Sequence, residues 1–84
     1  MKYEIRFKAS AQKALRKIAA QDRERILSKV INLRTNPHPH GSIKLTNQEA
    51  YRVRQGDYRI IYTVKDQILL IEVVRIGHRR DVYG

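Results

Sequence analysis

The sequence predicts a small α+β domain: an N-terminal strand, an antiparallel helix pair and then an antiparallel sheet, in the order β-α-α-β-β-β. Three observations predict it. Lys2 to Phe7 alternates, with Tyr3, Ile5 and Phe7 on one side and mostly charged residues on the other, as a half-buried strand does. Apolar residues then recur at helical spacing in two segments, first Ala14, Leu15, Ile18 and Ala19, then Ile26, Leu27, Val30, Ile31 and Leu33. The last third returns to β-rich runs, Tyr51 to Arg54, Tyr58 to Val64 and Ile68 to Ile76. Eighty-four residues hold one core, so 1–84 is read as a single domain.

Ser10 is the expected N-cap of a first helix running from roughly Ala11 to Ala20, and Asp22 that of a second reaching about Arg34. A link this short folds the helices back on each other. The second helix must stop before Pro37, because Asn36 to Ser42 holds two prolines and a glycine. His38 and His40 lie in that loop with no Asp, Glu or Cys close by, so they are read as solvent-exposed and no metal is assigned. Ile43 to Thr46 leads in extended form towards the hairpin, with Asn47 to Ala50 as a bend.

The hairpin joins the fold to the chemistry. Tyr51-Arg52-Val53-Arg54 and Tyr58-Arg59-Ile60-Ile61-Tyr62-Thr63-Val64 flank Gln55-Gly56-Asp57, where glycine supplies the positive φ of a tight turn. Strand side chains alternate faces. A two-residue loop puts Tyr51, Val53, Tyr58, Ile60, Tyr62 and Val64 on one apolar face and Arg52, Arg54 and Arg59 on the other; an odd loop scatters both sets. Facing like charges cost roughly 0.2–1 kcal/mol per pair, so an anion is the expected beneficiary. Guanidinium forks match phosphate oxygens two at a time. The bland alternative is the solvated outer face of a sheet.

Ile68 to Ile76 is almost continuously apolar and reads as a central strand covered on both faces. Glu72 interrupts it, and a two-residue turn before the strand would set it beside Ile61 and near Arg59, as an ion-pair partner. The tail Gly77-His78-Arg79-Arg80-Asp81-Val82-Tyr83-Gly84 follows at once and is expected to curl over the arginine face.

There is no cysteine, hence no disulfide or thiolate-metal site, as fits a reducing cytoplasm. Neither a membrane-length apolar run nor a signal-peptide hydrophobic region is present, and a soluble cytoplasmic protein without membrane attachment is expected. Eighteen Lys and Arg against eight Asp and Glu give a formal net charge of +10. A chain this small and basic is suited to a polyphosphate, with salt-sensitive affinity.

The sequence shows no Gly-rich phosphate loop, Ser-His-Asp arrangement or carboxylate pair, so the catalytic vocabulary is Arg, His and Tyr. A nuclease without clustered carboxylates has no evident place for magnesium. RNA brings its own nucleophile, the 2′-hydroxyl; cleavage then needs a base, cations for the pentacoordinate phosphate and an acid for the 5′-oxygen. Arginine serves the phosphate but is a poor base. Proton transfer falls to Tyr83 or His78, and a metal-free nuclease of this kind acts on RNA.

The segments Tyr-Arg-Val-Arg (51–54), Gly-Asp-Tyr-Arg-Ile-Ile-Tyr (56–62) and Gly-His-Arg-Arg-Asp-Val-Tyr (77–83), in this element order, resemble the RelE family of toxins of type II toxin–antitoxin systems across essentially the whole chain. The resemblance implies a ribosome-dependent endoribonuclease that cuts mRNA in the ribosomal A site, beside ribosomal RNA, and so inhibits translation without a cofactor. It also implies a cognate RelB-like antitoxin held in a toxin–antitoxin hetero-oligomer, and the +10 charge makes an acidic toxin-binding segment the expectation. Carried over by position, Arg52, Arg54 and Arg59 would bind and polarise phosphate, Arg79 or Arg80 would supply a tail guanidinium, and Tyr83 would activate the 2′-hydroxyl with His78 as the other candidate. The best-known member has lysine where this chain has Arg52 and Arg54, and arginine does not readily share in proton transfer. Two other readings stand beside this one: a ParE-like inhibitor of DNA gyrase, and a non-catalytic RNA-binding or ribosome-associated module.

Overall fold

The computed structural model describes residues 2–46 and 49–78. Its elements are β1 (Glu4–Phe7), α1 (Ala9–Arg16), α2 (Ala20–Asn32), β2 (Ile43–Lys44), β3 (Tyr51–Gln55), β4 (Tyr58–Lys65) and β5 (Leu70–His78), with a single 3₁₀ turn at Asp66–Ile68. The five strands form one sheet in the order β1-β5-β4-β3-β2. The α+β class and the strand–helix–helix start are as expected, and Ile43–Lys44 adds a short fourth strand to the three expected after the helices. The sheet is mixed and not wholly antiparallel: β1 runs parallel to β5, since the chain between them supplies the long crossover that parallel strands require.

Both helices lie on one face of the sheet. Ala11, Leu15, Ile18, Ile26, Val30 and Leu33 on the helical side meet Val53, Ile60, Tyr62, Ile71, Val73 and Ile76 on the sheet side to form one core. α1 has only 8 residues, too few to persist without this packing.

The caps differ from expectation. α1 begins at Ala9, and Ser10 sits inside it, donating its hydroxyl to the Val74 carbonyl at 3.2 Å, so this serine ties the helix to β5 and does not cap it. α2 starts at Ala20, ahead of Asp22, whose carboxylate instead meets the positive end of the helix dipole from within the first turn. Ile31 was expected on the inner face and is 58% exposed; Val30 beside it takes the core position at 1%.

Residues 36–42 form the expected loop, docked on the sheet by aromatic groups. The Tyr62 hydroxyl donates to the Pro37 carbonyl at 2.7 Å. The exposed His38 stands edge-on to Tyr51, ring centres 4.6 Å apart. Burial pushes the Tyr62 phenol up to about 12, with nearby Tyr51 adding to the rise and a hydrogen bond with Ser42 opposing it. The Tyr3 hydroxyl donates to Asp66, and this hydrogen bond, helped by lesser burial and charge effects, raises the Tyr3 pKa. Among the described residues no helix is long and apolar enough to cross a membrane.

Candidate nucleic-acid interface

The β3–β4 turn decides the site. Gln55 pairs with Tyr58, leaving Gly56 and Asp57 as a two-residue loop, with Gly56 at φ +61°. The pairs Tyr51–Tyr62, Val53–Ile60 and Arg54–Arg59 then place like with like, and Arg52 faces Ile61. Directly paired residues share a face. Arg52, Arg54 and Arg59 are therefore brought together on the sheet face away from the helices, as the even register predicts.

Their burial differs. Arg54 is exposed and Arg52 half-buried, whereas Arg59 is only 6% exposed, the one buried charged side chain among the described residues. A charge held this far from water is costly, so the surrounding sheet must hold the guanidinium where it stands. Arg54, Gly56, Asp57, Tyr58 and Arg59 border a small concavity of about 60 Å³ at the hairpin end.

β5 departs from the sequence reading in three ways. First, the connection from β4 is longer than a two-residue turn: the 3₁₀ segment is followed by Leu69 at φ +50°, and Lys65 pairs with Leu70. Glu72 consequently stands opposite Thr63 and, on its other side, Arg6; it is not beside Ile61. Second, the register shifts between Ile61 and Tyr62, whose partners are Arg75 and Val73, so Val74 is an extra residue forming a β-bulge. Beyond the bulge the strand's alternation is reversed, which puts Arg75 and Gly77 on the arginine face and Ile76 and His78 on the helix face. Third, the apolar run does not reflect cover on both faces. It includes the turn residues Ile68, 65% exposed, and Leu69, together with the bulge residue.

His78 is thus separated from the arginines expected to accompany it. It pairs with Tyr58, the rings meeting edge to face at 5.6 Å, beside a cleft of about 310 Å³ that Ala14, Lys17 and Ile18 also line. The other tail candidates, Arg79, Arg80 and Tyr83, lie outside the described residues. Arg75 is the site-face residue that the sequence reading missed. Its signal was the spacing Val73, Ile76, which fits one buried face only if the strand takes an extra residue between them. Among the described residues no group of three or more His, Cys, Asp or Glu stands together as a metal site would require.

Residues 5–83 match the model of the ParE toxin of type II toxin–antitoxin systems. The chain belongs to this toxin family. It is 29% identical over 88 residues to a putative RelE-like toxin protein of Escherichia coli, covering 100% of this chain and 93% of the relative. It is 28% identical over 89 residues to toxin RelG of Mycobacterium tuberculosis, covering 99% and 98%. The archaeal RelE–RelB complex of Pyrococcus horikoshii contains a chain of the same fold, with a TM-score of 0.81, 26% identity, and 96% and 99% of the two chains covered. The ParE match and the RelE-like relatives together make this chain a type II toxin of the RelE/ParE superfamily.

Proposed function

We propose that this toxin is an endoribonuclease that cleaves mRNA in the ribosomal A site. The observation that carries the reading is the set of three arginines on one sheet face, one of them buried, aligned by a register that places Arg54 directly opposite Arg59. Such self-repelling guanidiniums are suited to an oxyanion whose charge grows during reaction. In the reaction the 2′-oxygen forms a bond to phosphorus while the bond to the 5′-oxygen breaks. The 2′-proton passes to a base, the leaving oxygen receives a proton, and the products are a 2′,3′-cyclic phosphate and a 5′-hydroxyl. Arg59, fixed by burial, is assigned to the phosphate charge, with Arg52 and Arg54 binding the strand. Tyr83 is assigned as base and Arg79 or Arg80 as a further cation. His78 supports this chemistry less well than the sequence reading held, because its strand position is on the helix face.

An antitoxin is the second partner in this proposal, as in the RelE–RelB complex of the P. horikoshii relative. A net charge of +10 fits an acidic segment that closes off the arginine face. The ParE family match favours one alternative, inhibition of DNA gyrase by binding. Ribosomes carrying a defined mRNA separate the two. Cyclic-phosphate ends that appear with the parental protein and drop at least a hundredfold with Arg59→Ala, a loss typical for one donor aimed at transition-state charge, support the nuclease. Intact mRNA together with blocked DNA supercoiling would establish the alternative.

A further inference from the structure

The bulge at Val74 gives the arginine face a residue that simple strand alternation would send into the core. Without it Ile61 would face Val74, and Arg75 would stand among Ile60 and the helices. With it, one row across three strands reads Arg52, Ile61, Arg75. Neighbouring strands lie about 4.8 Å apart, so the backbones of the two arginines are roughly 10 Å apart with an apolar side chain midway. A second row, Arg54, Arg59 and Gly77, lies two residues, about 7 Å, further along the strands. Arg75 is exposed and Ile61 half-buried, so the first row is open to solvent. Bulges re-aim side chains beside functional sites.

The bland account of this bulge is that it keeps both Val73 and Ile76 in the core, at 0% and 4% exposure. That account explains Ile76. The same extra residue also sets the guanidinium of Arg75 on the face that already carries Arg52, Arg54 and Arg59.

We infer that Arg75 is a positioning residue that holds the mRNA phosphate next to the one being cleaved, with the intervening base resting on Ile61 between Arg75 and Arg52. The inference rests on the nuclease reading above and adds the seat of the neighbouring nucleotide. A base has an apolar face that packs on an aliphatic side chain, while the flanking phosphates find a guanidinium on either side. Arg75 meets no reacting atom in this arrangement. It fixes where the strand lies and thus affects binding, not the chemical step.

The test uses the full chain and ribosomes programmed with mRNA, comparing the parental protein with Arg75→Gln and Arg75→Lys. Arg75→Gln is expected to raise KM about tenfold, as befits loss of one charge-assisted hydrogen bond, with kcat changed less than about twofold. The slope of log KM against log salt should fall by about 0.7, the value for one phosphate contact on a single strand. Arg75→Lys should restore the salt slope. Replacing the neighbouring linkage of the mRNA by an uncharged methylphosphonate should erase the difference between the parental protein and Arg75→Gln. A difference that persists on that mRNA puts the contacted phosphate in ribosomal RNA and overturns the seat. Parental cleavage with an Arg75→Gln variant of unchanged KM, or with a loss confined to kcat, overturns it as well. No cleavage by the folded parental protein defeats the nuclease reading itself, and the seat with it.

Discussion

The two faces of the sheet use alternate residues of the same strands and follow opposite rules. On the helix face Val53, Ile60, Tyr62 and Val73 are 0–2% exposed, and burial alone fixes which residues can stand there. On the other face Arg52, Arg54 and Arg75 remain in contact with water while Arg59 is buried. Since a one-residue slip exchanges the faces, the apolar face dictates register and the arginines are carried into alignment by it. Stability thus specifies the geometry of a site to which it contributes little, and variants of neighbouring residues should report the two roles separately.

The largest contrast is between adjacent residues. Val53→Asp buries an unpaired carboxylate and is expected to leave no folded protein, seen as loss of a cooperative melting transition by circular dichroism. Arg54→Ala, one residue on and facing away, should melt within a few degrees of the parental chain and yet lose most activity. If both unfold, the faces are not independent.

Tyr62→Phe is the next test on the helix face. It removes the hydrogen bond to the Pro37 carbonyl and is expected to cost about 1 kcal/mol, lowering Tm by roughly 4–8 °C. This change also alters pH dependence. The folded phenol titrates at about 12 against 10.0 for the ordinary group, so the fold favours its neutral form. The associated stability is complete below pH 10 and disappears as pH rises through 12. Urea titrations at stepwise alkaline pH should show a shallower decline for Tyr62→Phe than for the parental chain; parallel curves would mean that the phenol is not responsible.

Arg59 mixes the two rules, being buried on the outer face. The sequence alone places Arg59 on the polar face of the sheet, but at 6% exposure its aliphatic stem is part of the packing. Arg59→Met retains most of that stem and removes the charge, so the protein should still fold while activity disappears. A Tm several degrees lower would show that the charge itself is structural. The smallest effect is expected of Thr63→Val. The Thr63 hydroxyl is buried on the arginine face with no hydrogen-bond partner among the described residues, and replacing it with a methyl group should raise Tm by a degree or two. A lower Tm would reveal a bond made by that hydroxyl.

What could be read from the chain follows the same division. The hairpin was legible because Gly56-Asp57 and the Tyr/Val/Ile alternation on both sides admit one register. Helix ends were less so, since Ser10 and Asp22 are good capping types that the structure uses elsewhere, one on the Val74 carbonyl and one inside the first turn. β5 was the least legible. Nine consecutive residues from Ile68 to Ile76 contain a turn, a left-handed residue and a bulge, and apolar side chains at all three conceal the breaks in alternation. The error had chemical consequences: it set a carboxylate, Glu72, where the structure has the guanidinium of Arg75, and left His78 on the wrong side of the sheet.

The place of β5 between β1 and β4 also bears on how the protein is made. Synthesis delivers β1 first and β5 last, so a nascent chain that has reached Lys65 holds a first strand without its neighbour and a hairpin with one bare edge. Local helix formation cannot remedy this, because the missing β1–β5 contacts join residues more than sixty positions apart, and such long-range pairing is the slow part of folding. The domain must therefore close after residues 70–78 have left the ribosome, in a step that inserts a strand into the interior of the sheet. Arg75 travels on that strand. The four-arginine face and the finished core arise in the same event, and no chain that still lacks residues 70–78 carries the assembled set.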